Sequence, residues 1–100
     1  MTHNGKPVEI RYQEFPKELQ GAIPGIVTAK FPQKYIILID STRPPLVQRH
    51  TIGHELAHLY LNHLDDHDRP VMDQEREANA RAWEFYRRYR AGDLEDAAQA

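Results

Sequence analysis

Apolar and polar residues alternate over Val8-Glu9-Ile10-Arg11-Tyr12, the pattern of a short strand with one face buried. Pro16 closes that segment. Lys17 to Ala22 reads as a single helical turn, and Pro24 and Gly25 break the chain again. Ile26 to Phe31 forms a second strand, with Pro32-Gln33-Lys34 as the turn of a hairpin. The run Tyr35-Ile36-Ile37-Leu38-Ile39 is continuously apolar, rich in β-branched residues and too short for a helix. It reads as a strand buried on both faces.

Beyond Asp40 the spacing of apolar residues becomes helical. Ser41-Thr42-Arg43-Pro44-Pro45 carries the polar caps and first-turn prolines of a helix start. The helix runs from about Pro45 to Asn62 or His63, with Leu46, Val47, Ile52, Leu56, Leu59 and Leu61 on one broad face. His63 to Pro70 is polar and reads as a loop. A second helix extends from about Asp73 to Arg90, packing through Ala78, Ala82, Trp83, Phe85, Tyr86 and Tyr89, and Gly92 stops it. Asp93 to Ala100 is a short terminal helix or a frayed tail. The expected architecture is α+β: a two- or three-stranded sheet packed on two main helices, as one domain over residues 1–100.

Composition narrows the function. A chain of 100 residues supports one small core. A net charge of −2 gives no basic field for nucleic acid, which disfavours direct nucleic-acid binding. Cysteine is absent, so neither a disulfide framework nor a thiolate metal site can form, as suits a reducing cytoplasm. Met1 to Pro7 is polar, so no signal peptide is expected. The longest apolar run, Tyr35 to Ile39, is far short of a membrane span. Without disulfides, a bound metal can contribute to stability as well as to chemistry.

The first long helix contains His54-Glu55-Leu56-Ala57-His58. Residues four apart stack on one helix face, roughly 6 Å apart along the axis, so both imidazoles can reach one zinc ion. Glu55 points to the side where a metal-bound water sits. Zinc lowers the pKa of such a water, and a neighbouring carboxylate can take its proton. The chemistry thus requires His, Glu and His at this spacing on a helix. With six histidines and eight glutamates, the pattern arises by chance in roughly 3% of such chains. Its place on an amphipathic helix lowers that share further.

A catalytic zinc needs a third protein ligand and an open position. A third histidine six residues after His58 would supply one, but Leu64 stands there. The second helix offers Glu75 and Asn79, four apart on one face. One can bind the metal while the other holds a ligand histidine by a hydrogen bond. Glu77 diverges from that face and is the weaker alternative.

Three segments together resemble the ImmA/IrrE-type metallopeptidases: Tyr35 to Asp40, Gln48 to Leu59 with the HExxH motif, and Glu75-Arg76-Glu77-Ala78-Asn79. The likeness covers roughly residues 23 to 90. It implies a zincin-like minimal domain, zinc as cofactor, Glu75 as third ligand, and a cytoplasmic endopeptidase. Substrates in that family are helix-turn-helix repressors. His50 departs from the family's usual apolar aromatic and reads as a core or supporting histidine. His63 and His67 are expected at the surface near the cleft rim, and Tyr60 in packing. Arg81, Arg87, Arg88 and Arg90 read as a solvated face rather than a docking patch.

The function expected is a zinc endopeptidase with His54, His58 and Glu75 as ligands and Glu55 as general base. The Tyr35–Ile39 strand is expected to leave a free edge beside the metal for an extended protein substrate. The alternative is a non-catalytic module that keeps the metal for stability and binds a partner protein. Glu55 favours the enzyme, because a structural site needs only ligands.

Overall fold

The computed structural model describes residues 1–28 and 32–94. Its elements are β1 (Thr2–His3), β2 (Lys6–Gln13), β3 (Gly25–Thr28), β4 (Tyr35–Asp40), α1 (Pro45–Tyr60) and α2 (Val71–Ala91). The strands form one mixed sheet in the order β1-β2-β4-β3. β2 runs parallel to β4, with Ile10 opposite Ile37, while β1 and β3 are antiparallel to their neighbours. The α+β architecture expected from the sequence is therefore present, with four strands rather than two or three.

β1 is the added strand. Asn4 and Gly5 both take positive φ, 52° and 74°, as a two-residue hairpin turn requires. Tyr60 anchors this hairpin to α1 by donating its hydroxyl to the Thr2 carbonyl at 2.6 Å. β4 is buried along nearly its whole length, and it is the central strand with a partner on each side. Among the described residues the strand at that end of the sheet is β3, not Tyr35–Ile39. A run that is apolar at every position suits a strand flanked on both sides, and this one is. The distal part of the expected second strand, residues 29–31, lies outside the described residues.

Ile37 and Ile39 pack with Ile52, Leu56, Ala57, Ala78, Phe85 and Leu94 in one core. From Thr51 to Leu59, α1 is buried on most of its circumference, since the sheet lies on one side and α2 on the other. Leu46 and Val47 are exposed, so the broad apolar face holds only from Thr51 onward. On α2, Ala78, Ala82 and Phe85 are buried, while Trp83 is exposed at one side. Arg81 and Arg88 both pair with Glu84 on the outer face. Leu94 is buried; the rest of the expected terminal segment, residues 95–100, lies outside the described residues.

Two local features set where α1 lies. Asp40, at the end of β4, is fully buried. Its carboxylate accepts from the Thr42 hydroxyl at 2.7 Å, the Thr42 N–H at 3.1 Å, the Phe15 N–H at 3.5 Å and the Arg43 guanidinium at 3.4 Å. Thr42 is thus spent on Asp40, and no side chain caps the helix N-terminus. Burial raises the Asp40 carboxyl, but these hydrogen bonds outweigh it and hold the group below its ordinary value of 3.8. The second feature is Gly53. A Cβ built there would stand 1.8 Å from the Ala82 carbonyl oxygen, so α1 and α2 cross in backbone contact that only glycine permits.

Two outcomes follow. Gly53→Ala must push the helices apart, at a cost of about 1–3 kcal/mol for overpacking. Differential scanning calorimetry should show a lower midpoint, by several degrees for a domain of this size. Because the Asp40 carboxyl is lowered on folding, its contribution to stability is present above pH 3.8 and is lost as pH falls through the folded value. Asp40→Asn should therefore destabilise at neutral pH and progressively less below about pH 4. An equal deficit across an acid titration of the midpoint would contradict this role.

Candidate metal centre

The close crossing at Gly53 brings the first turns of α2 onto the middle of α1. His54 and His58, one turn apart on α1, face each other through Nε2 at 3.0 Å. Glu75 of α2 places Oε2 3.0 Å from His54 Nε2 and Oε1 3.0 Å from His58 Nε2. One ligand atom from each of the three lies within 4.8 Å of the others. Neutral imidazole lone pairs and a carboxylate repel one another at this spacing unless a cation or a proton lies among them. Donor atoms around one tetrahedral zinc, each bonded at about 2.0–2.1 Å, stand roughly 3.3 Å apart. The set therefore fits a zinc ion in donor type and in spacing.

Each histidine is held from behind. His54 Nδ1 lies 2.7 Å from the Asn79 Oδ1, a contact that the shared face of Glu75 and Asn79 allows. His58 Nδ1 lies 2.8 Å from Nδ1 of His63. His63 is buried rather than at the surface. The reason is the end of α1. Asn62 adopts φ 60°, its N–H reaches the Leu59 carbonyl at 3.1 Å, and the His63 N–H reaches the His58 carbonyl at 2.9 Å. This left-handed helix stop turns His63 back against His58. Glu77 does not join the three-residue group. It takes His63 Nε2 at 2.7 Å and Arg69 Nη1 at 3.0 Å. His63 and Glu77 were not legible as partners of the site from helical spacing, since one lies past the helix end. The Asn62-His63 pair beyond the last helical turn was the available signal.

The three groups open into a cleft of ≈ 590 Å³ between the β3 side and the two helices. Glu55 is 8% exposed and lines this cleft. Burial, with the Glu75 carboxylate adding to it, pushes the Glu55 carboxyl up to about 8. Burial also lowers the His58 imidazole, outweighing the attraction of Glu75, which favours the neutral ring that has a lone pair to give. His50 lines the cleft one turn before His54, half-buried, with its ring edge-on to Trp83 at 5.4 Å. Its imidazole is lowered by burial and then by His54. His67 is exposed, as expected. The terminal strand β3 borders the same cleft, and Gly25 makes this possible, because a Cβ there would meet the Thr51 methyl at 2.6 Å.

Residues 7–91 match the family model of the IrrE N-terminal-like domain, a peptidase family. No curated protein and no solved structure matches the chain. The family match spans most of the sequence, and the chain belongs to that family.

If the three donors hold an ion, removing it should expose their repulsion and destabilise the fold. At free zinc near a thousand times the dissociation constant, binding to the native state adds about 4 kcal/mol. The thermal midpoint should rise on zinc addition and fall after chelation, and His58→Ala should abolish the difference. An equal midpoint with and without verified zinc would contradict an ion held in this group.

Proposed function

We propose that this member of the IrrE N-terminal-like peptidase family is a zinc-dependent endopeptidase of the cytoplasm, with His54, His58 and Glu75 holding the ion and Glu55 as general base. The observation that carries this reading is the placement of Glu55. A buried carboxyl shares one cleft with two imidazoles and a carboxylate that converge at 3.0 Å. A site kept only for stability gains nothing from a buried acid beside its ligands.

Zinc held by these three residues would supply a Lewis acid for the substrate carbonyl and would make a bound water more acidic. The rest of the work falls to the chain's own groups. Glu55 accepts the proton that the attacking water gives up as its oxygen bonds the carbonyl carbon. It then delivers that proton to the amine nitrogen as the C–N bond breaks. Burial makes Glu55 a stronger base than a solvated carboxylate. Asn79 keeps the His54 ring oriented, and the edge of β3 can take an extended substrate backbone by strand addition. The Tyr35–Ile39 strand cannot do so, since both its sides are paired.

For substrate, we propose a protein regulator, with a helix-turn-helix repressor as the kind the ImmA/IrrE resemblance favours. Co-incubation with regulators encoded beside this protein, read by mass spectrometry, should reveal cleavage at one site that requires zinc. Glu55→Gln should reduce that rate by roughly 10²–10⁴ while about one zinc per chain stays bound. A Glu55→Gln protein that cleaves at near wild-type rate would sink the mechanism. Stable association without cleavage, unchanged by the same substitution, would favour the non-catalytic binding module instead.

A further inference from the structure

His58 and His63 meet through their Nδ1 atoms at 2.8 Å. Two imidazole nitrogens at that distance share one hydrogen, so one ring donates and the other accepts. The direction is decided at the far side of His63. Its Nε2 lies 2.7 Å from Oε1 of Glu77, and a carboxylate offers only lone pairs. Nε2 of His63 therefore carries a hydrogen and donates it. A neutral His63 then keeps its lone pair on Nδ1, which accepts the hydrogen of His58 Nδ1. That leaves the His58 lone pair on Nε2, the atom that faces His54 and Glu75.

We propose that His63 and Glu77 are positioning residues that hold His58 in its metal-binding tautomer, with Arg69 clamping the Glu77 carboxylate. The free histidine side chain favours hydrogen on Nε2, the opposite form, so His58 must be held in the minority tautomer. With an ion between Nε2 and Glu75, the relay behind Nδ1 stabilises that tautomer. The chain builds it deliberately. The left-handed turn at Asn62 aims His63 inward, and His63 is 5% exposed. Asp66 accepts the N–H groups of Asp68 and Arg69, and this loop delivers the Arg69 guanidinium to Glu77 at 3.0 Å. α2 thus serves the site three times in five residues. Glu75 reaches the centre, Asn79 sets the tautomer of His54 directly, and Glu77 sets that of His58 through one intervening ring.

This inference rests on the reading of His54, His58 and Glu75 as the zinc site, and its test separates the two. Zinc affinity is measured on the full chain by competition with a chromophoric chelator. Ring tautomers are read from long-range ¹H–¹⁵N correlations of the zinc-loaded protein. Glu77→Ala and His63→Leu should weaken zinc about 10–100-fold, as loss of a partner behind a ligand histidine does. Glu77→Gln, which keeps an acceptor, and His63→Gln, whose amide oxygen can take the His58 hydrogen, should recover part of that loss. Wild-type spectra should show His63 neutral with its hydrogen on Nε2. Glu77 is partly exposed, so its variants keep the test alive should His63→Leu fail to fold. A doubly protonated His63, or wild-type zinc affinity in both Glu77 variants, overturns the relay. Wild-type zinc affinity in His54→Ala would instead refute the metal site itself.

Discussion

Everything at the site depends on how closely two helix backbones approach. With no side chain at Gly53, the carbonyl of Ala82 occupies the space a Cβ would need. Any other residue holds α1 and α2 apart, and the first turns of α2 no longer reach the histidines of α1. Backbone contact at one point fixes side-chain convergence two turns away. The carboxylate of Glu75 can then stand 3.0 Å from both Nε2 atoms. Such a crowd of lone pairs is costly by itself and makes sense only around positive charge. The packing of the two helices and the convergence of these donors are therefore one problem, which a cysteine-free chain of 100 residues solves with a single glycine and small alanines facing it.

The same crossing divides labour between the helices. α1 carries the proposed ligands and base, His54, His58 and Glu55, in its most deeply buried stretch. α2 carries what holds them: Glu75 across the centre, Asn79 behind His54, and Glu77 behind His63. The sheet adds the rest. Gly25 lets β3 close in on Thr51, so the last strand in the sheet order borders the cleft. Asp40 anchors the turn that aims α1 across the sheet, and its hydrogen bonds link Phe15, Thr42 and Arg43.

Much of this was legible in the residues. The alternation at Val8–Tyr12, the solid apolar run at Tyr35–Ile39 and the helical spacing after Pro45 each reflect burial that a strand or helix imposes locally, and each element is present. The pairing of Asn79 with a ligand-type histidine followed from four-residue helical spacing. What escaped depends on chain reversals and neighbours. The β1 hairpin turns on Asn4-Gly5 within a polar stretch that carries no burial signal. Which strand lies at the edge depends on the parallel pairing of β2 with β4, which no local pattern encodes. Helical spacing says nothing of His63, which follows the helix end; the left-handed Asn62 folds it inward. Leu46 and Val47 continue the apolar spacing into the first turn of α1, where they stay exposed.

The central claim is that α1 and α2 together enclose one zinc ion. Diffraction from crystals of the zinc-loaded protein, recorded on both sides of the zinc absorption edge, tests it directly. The account predicts a single anomalous peak between the helices, bounded by Nε2 of His54, Nε2 of His58 and the carboxylate of Glu75, with its remaining side open to the cleft and Glu55. A peak bound by other residues, or a site closed by a fourth protein ligand, would contradict it.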